Sequence, residues 1–299
     1  MKPKVTVGVC VRNCEDFVKD AIDSIINQDF PHELMELIVV DGYSEDNTLS
    51  IIKDNVKNTE IEYKIFYENK GLGHARQTAV DNASGGYIVW VDGDMILATD
   101  FVRKQVEFME RNPDVGIAKG KYSLTPGANW IATLEIYSRA ASKMVDFNYK
   151  VKTRSKAMGT SGCIYRVKAI RQVGGFDENI RGYGEDLDAE CRVRTAGWLL
   201  CTTDVRFQDY ERRGLTWKNL WNRYLKRGYD THHFLDKNKG MIALYKMLPP
   251  AAFLAGLLHA LTVYKLTRQK VAFLLPLQST FKMTAWWLGF IRCHLDSLM

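Results

Sequence analysis

The chain has 299 residues, 46% hydrophobic and 25% charged, with a formal net charge of +6. That is an ordinary globular composition with room for one large α/β domain or two smaller ones. Six cysteines (10, 14, 163, 191, 201 and 293) include no Cys-x-x-Cys pair, which argues against a zinc site and for buried thiols in a reducing compartment. Met1-Lys2-Pro3-Lys4 leads straight into a strand-like run, without the apolar core and cleavage site of a secretory leader. The charge is uneven: residues 212–246 carry nine Lys/Arg against two Asp, so the rest of the chain is near neutral. A patch this local argues against nucleic acid as the partner.

Strands and helices alternate from the start. Val5 to Val11 is a continuous apolar run, as in a strand buried on both faces. Phe17, Ala21, Ile22, Ile25 and Ile26 fall on one face of a helix. Leu37 to Val40 is a second strand, and Ser44 and Asp46 are placed to cap the helix that carries Leu49, Ile52 and Val56. Ile61 to Tyr67 reads as a third strand, Gly71 to Ala83 as a loop entering a helix, Tyr87 to Val91 as a fourth strand, and Phe101 to Met109 as a helix. This order predicts an α/β fold with a doubly wound, mostly parallel sheet, whose ligands bind at the carboxyl ends of the strands.

Polar clusters fall at those ends. Arg12-Asn13 follows the first strand, Asp41 closes the second, and Asp92-Gly93-Asp94 closes the fourth. Two carboxylates two residues apart on an extended segment project to the same side, and the glycine between them admits a close neighbour. Mg²⁺ and Mn²⁺ take oxygen ligands, often one or two carboxylates plus substrate phosphates. The cluster therefore points to a metal–diphosphate site.

Further on, Trp130 to Val145 reads as a helix, Met158 to Tyr165 as a glycine-punctuated strand, Gly174-Gly175-Phe176-Asp177 as a turn, and Glu185 to Ala196 as a short charged helix. Trp217, Leu220, Trp221, Tyr224 and Leu225 recur at helical spacing among Lys218, Arg223, Lys226 and Arg227, a pattern suited to an anionic lipid surface or to packing on the core. Met247 to Tyr264 and Val271 to Ile291 are apolar, but Pro249-Pro250, His259, Gln278 and Lys282 interrupt them. Spanning a bilayer would also export the basic connection Lys265 to Lys270, against the positive-inside tendency. The expectation is a membrane-associated hairpin, with helices packed on the protein or on a second subunit as the alternative.

Four motifs carry a resemblance. Val5 to Asn13, Val39 to Thr48, Asn69 to Gln77 with Gly85-Gly86-Tyr87 and Asp92-Gly93-Asp94, and Gly174 to Asp177 with Gly184-Glu185-Asp186-Leu187-Asp188 stand in one order. Together they resemble the family 2 glycosyltransferases of the GT-A fold, over roughly residues 4 to 210. Two departures stand out: Arg12-Asn13-Cys14 replaces Tyr-Asn-Glu, and Gly42 replaces a second Asp.

The resemblance implies the following roles. Cys10, Val11, Arg12 and Asn13 would line the nucleobase pocket, with Asp41 accepting a hydrogen bond from the base. Gly71 and Arg76 would support the donor site, Arg76 serving equally well as a structural ion pair. Asp92, beside Gly93, would hold the ribose or the metal, Asp94 would ligate Mg²⁺ or Mn²⁺, and Asp186 would be the general base. Glu185 and Asp188 rank below it as supporting or solvated acids.

The expected activity is inverting, metal-dependent transfer from a UDP-, GDP- or dTDP-type sugar to a hydroxyl of a lipid-linked or glycan acceptor, on the cytoplasmic side of the cell membrane. A polyprenyl-phosphate sugar synthase and a non-catalytic sugar-nucleotide-binding scaffold are the alternatives. The expected division is a domain over 1–212 (nucleotide half about 1–120, acceptor half about 121–212), a basic amphipathic helix over 213–240 and an apolar hairpin over 241–299.

Overall fold

Apolar runs bounded by turns build the amino-terminal half as the sequence leads one to expect. In the computed structural model, which describes residues 5–144, 158–180, 182–209, 214–237 and 243–298, the first four strands are Val5–Val11 (β1), Met35–Asp41 (β2), Glu62–Tyr67 (β3) and Tyr87–Asp92 (β4). Met95–Leu97 (β5), Val115–Tyr122 (β6), Cys163–Arg166 (β7) and Leu199–Asp209 (β8) complete one sheet in the order β3-β2-β1-β4-β7-β6-β8-β5. The β3-β2-β1-β4 half is all parallel. The other half is mixed, with β7 antiparallel to both β4 and β6, β8 parallel to β6, and β5 antiparallel to β8.

Alternate residues of the central strands serve two apolar layers, as the two-residue period of a strand requires. Val5, Val7, Val9, Leu37, Val39, Val89 and Val91 pack with helices Val18–Ile26 (α1), Thr48–Val56 (α2) and Phe101–Arg111 (α4). Ile38, Val40, Ile88 and Trp90 pack with Leu72–Asn82 (α3), Val167–Gln172 (α6) and Glu185–Thr195 (α7).

Three strands escape a reading of apolar pattern. β6 (VGIAKGKY) carries two glycines and two lysines, yet six of its residues are buried. β8 interrupts its apolar residues with Thr202-Thr203-Asp204, and β5 is only three residues long. The expected strand Met158 to Tyr165 is a strand only from Cys163; residues 158–162 form a turn.

By internal contacts the chain divides into two units, one containing the described residues 5–123, 158–180 and 185–209, the other 124–144, 182–184, 214–237 and 243–298. The second unit is helical: Trp130–Met144 (α5), Trp217–Lys237 (α8), Pro249–Thr267 (α9) and Leu275–Asp296 (α10). The Val145 end expected for α5 lies outside the described residues. The prolines that interrupt the first apolar stretch open α9, where a missing N–H costs nothing. Gln278 and Lys282, which interrupt the second, point inward: Lys282 Nζ lies 2.9 Å from the fully buried Glu135. Burial alone would raise the Glu135 pKa, but Lys282 and Arg139 outweigh it and hold the carboxyl well below its usual range. The aromatic side of α8 also packs inward, with Trp217 and Trp221 against Phe281 at ring-centroid distances of 4.9 and 5.0 Å. This unit exposes apolar side chains on both α9 and α10: Leu254, Leu258 and Leu261 on α9 and Leu277 and Leu295 on α10 are each more than half exposed.

Candidate active site

Parallel register brings the polar clusters to one edge of the sheet. Val11 pairs with Asp41 and Cys10 with Asp92, so the loops after β1, β2 and β4 leave the same side. A cleft of about 260 Å³ opens there, lined by Cys10, Val11, Arg12, Gly42, Glu68 and Gly71 among others. Four of the residues expected to bind nucleotide, Cys10, Val11, Arg12 and Gly71, stand in its wall. Burial pushes the Cys10 thiol up to about 12, against the pull of Arg76, so it is a neutral wall rather than a nucleophile. Gly42 makes room for its neighbour: a Cβ there would come within 3.2 Å of Arg12 Cβ.

Asp41 and Asn13 brace the loops around the cleft. Both Asp41 oxygens accept from Ser44, at 2.6 Å from the hydroxyl and 3.0 Å from the amide, and Asn13 Oδ1 accepts from Glu45 N at 2.9 Å. Glu15 does similar work, accepting from the amide and side chain of Asn47 at 3.0 and 2.8 Å. Sequence reasoning missed Glu68, whose carboxylate accepts from Lys70 N at 2.9 Å and Gly71 N at 3.1 Å and so shapes the glycine loop. Its position directly after β3, next to Tyr67, which is level with Asp41, was the available signal.

Asp92 and Asp94 are half-buried and flank the turn between β4 and β5. Gly93 is required between them, because a Cβ would sit 2.7 Å from Cys14 Sγ. Among the described residues no three His, Cys, Asp or Glu side chains are placed to hold a metal ion by themselves. Two hard carboxylates beside an accessible cleft do fit a cation that takes its remaining ligands from diphosphate and water.

Asp186 stands on the first turn of α7, half-buried, with Oδ1 accepting from Leu187 N at 2.7 Å. Its neighbours in the motif are structural. Glu185 is buried and forms an ion pair with the buried Arg76 of α3, and Asp188 accepts from Arg192 Nε at 2.8 Å. Arg76 Nη2 also lies 4.0 Å from Asp92 Oδ1. Burial would lower the Arg76 pKa, but Glu185, Asp92 and Asp186 outweigh it and raise it, so one guanidinium serves three acids. Arg76 therefore ties the Asp92 turn to the Asp186 helix.

Known proteins place the chain in a family. The family model described as glycosyl transferase family 2 matches residues 6–174, and the chain belongs to that family. It is similar to the putative teichuronic acid biosynthesis glycosyltransferase TuaG of Bacillus subtilis, 35% identical over 109 residues, which are 36% of this chain and 42% of that protein. It is also similar to the poly-beta-1,6-N-acetyl-D-glucosamine synthase of Staphylococcus epidermidis, 23% identical over 233 residues, covering 75% of this chain and 53% of that one. These matches thus span about half the relatives' length or less. Among solved structures, the mannosyltransferase PcManGT from Pyrobaculum calidifontis, in complex with GDP-Man and Mn²⁺, has a TM-score of 0.67 at 20% identity, covering 99% of this chain and 88% of that one. TarS 1–349 of S. aureus in complex with UDP-GlcNAc has a TM-score of 0.56 at 15% identity, covering 98% and 92%. These likenesses establish the GT-A fold.

Proposed function

We propose that this glycosyltransferase moves a sugar, with inversion, from a nucleoside-diphosphate sugar to a hydroxyl of a lipid-linked or glycan acceptor at the cytoplasmic face of a membrane. The observation that carries the reading is the shared neighbourhood of Asp92 and Asp186, two acids of separate motifs served by one buried Arg76. Asp94, with Asp92 beside it, would hold Mg²⁺ or Mn²⁺, which when bound neutralises charge on the departing diphosphate. Asp186 takes the proton of the acceptor hydroxyl as its oxygen attacks the anomeric carbon. The bond to the diphosphate breaks on the opposite face, and no sugar–enzyme bond forms. The relatives bearing on the donor class are structures bound to GDP-Man and to UDP-GlcNAc.

Asp94→Ala is expected to abolish the Mn²⁺-dependent part of nucleotide binding. Titration of UDP and GDP with and without Mn²⁺ by calorimetry checks it. Metal-dependent binding that survives the substitution intact would remove Asp94 from the site.

Membrane association rests on the exposed leucines of α9. Leu254, Leu258 and Leu261 recur at helical spacing on one side, and Lys265, Arg268 and Lys270 follow. Among the described residues no helix is long and apolar enough to cross a membrane, so the contact we propose is shallow and in-plane. Leu254→Glu with Leu258→Glu is expected to lower binding to vesicles containing anionic lipid by about tenfold or more, since burial of each leucine is worth about 1.5 kcal/mol or more. Co-sedimentation measures it, with melting temperature as the folding control. Unchanged sedimentation would refute this face.

A further inference from the structure

The turn at residues 158–162 has a pattern of contacts that sequence reasoning did not reach. Lys119 is an almost fully buried lysine in the middle of β6. Its ammonium donates to Ser161 O at 2.6 Å and lies 3.5 Å from Gly159 O. From the other side Glu190, also buried, accepts from the amides of Met158 and Gly159, each at 2.7 Å. The turn is thus held by a cation on its carbonyls and an anion on its amides. Held this way, it presents the Ser161 hydroxyl to Asp92 Oδ2 as a hydrogen-bond donor. Gly159 (φ +73°) completes the arrangement: a Cβ there would lie 3.5 Å from Asp186 Oδ2 and 3.8 Å from Lys119 Nζ.

A buried lysine is costly unless its charge is answered. Burial would lower its pKa, but Tyr122, Cys163, Glu190 and Asp92 together raise it, so it stays cationic. Packing does not require a lysine here: Tyr122 and Phe207 lie close to its nitrogen, at 5.3 and 5.7 Å, and would accommodate an apolar chain. What an apolar chain cannot do is hold two carbonyls. The aromatic rings and the carbonyl cradle together fix the ammonium, and through it the serine.

We infer that Lys119 and Ser161 are positioning residues for Asp92, the lysine clamping the turn and the serine fixing carboxylate oxygen Oδ2 while Oδ1 stays 4.0 Å from Arg76 Nη2. The inference rests on the reading of Asp92 and Asp94 as the carboxylates that hold a divalent cation. A carboxylate with one oxygen already bonded has fewer orientations to lose on binding. Partners of this kind act on metal affinity through the ligand they orient, typically by 10- to 100-fold.

The test is calorimetric titration of UDP or GDP against rising Mn²⁺ with the full chain and no acceptor, so that no turnover enters. Ser161→Ala is expected to raise the Mn²⁺ concentration for half-maximal nucleotide binding by about 10-fold, with the metal-free melting temperature near that of the parent. Lys119→Met is expected to raise it at least as much. The double variant is expected to equal the worse single, because both act through one contact. A different outcome for Lys119→Met separates positioning from simple charge: removing a nearby cation would by itself tighten Mn²⁺ binding. Tighter binding, additive effects, or an unchanged Ser161→Ala variant would each overturn the inference. If Lys119→Met fails to fold, Ser161→Ala alone decides. If the parent chain shows no Mn²⁺ dependence at all, the metal reading has failed instead, and the two failures are told apart.

Discussion

Asp186→Asn is expected to lower kcat by about 100- to 10,000-fold, the usual worth of a positioned general base, while donor binding stays within about twofold. Asparagine keeps the shape of the side chain and can still accept the 2.7 Å hydrogen bond from Leu187 N. It loses only the basicity. Folding should be little affected, because Asp186 is half-buried and the ion pair with Arg76 is made by its neighbour Glu185. Released nucleoside diphosphate reports kcat, and calorimetry with the donor reports binding. A parent-like rate with a hydroxyl acceptor, or donor binding lost in step with kcat, would remove Asp186 from the role of base. The acceptor decides the meaning of a null result. A phosphate acceptor is already an anion and has no need of the base, so retention of activity on polyprenyl phosphate alone would favour that synthase reading.

How much of this was legible follows from what each residue does. β1, β2 and β4 were readable because strands buried on both faces are runs of Val and Ile, and parallel pairing then fixed which loops share an edge. The motif aspartates were readable because they sit where those runs end. Lys119 was not, because a lysine between Ala118 and Gly120 carries no sign of burial; its reason for being inside is a turn forty residues later. Glu190 looks like any helix acid until the amides of Met158 and Gly159 are placed against it. Gln278 and Lys282 looked like flaws in an apolar stretch, yet Lys282 is the partner of Glu135, 147 positions away. Pairings over such distances belong to the tertiary fold and leave no local pattern.

Arg76 is the residue whose loss should cost the fold most. Arg76→Met strips the counter-charge from Glu185, which is 3% exposed, and leaves Asp92 without its cation at 4.0 Å. Breaking a buried pair from one side costs about 3–5 kcal/mol, a large share of the roughly 5–15 kcal/mol that holds a domain folded. A fall in melting temperature of about 6–20 °C is expected at 2–4 °C per kcal/mol. Glu185→Gln should cost less, because Arg76 keeps Asp92 and the face of Phe176 at 6.0 Å. The double variant Arg76→Met with Glu185→Gln removes both charges, and a pair so replaced is often near neutral; it should recover most of the lost melting temperature. Its activity separates the two roles that the sequence left open. If Arg76 were only a structural pair, transfer would recover along with stability. We expect it not to, with donor KM staying high, because Arg76 no longer fixes the Asp92 turn against α7. A double variant no more stable than Arg76→Met would mean that Glu185 is not the group Arg76 compensates.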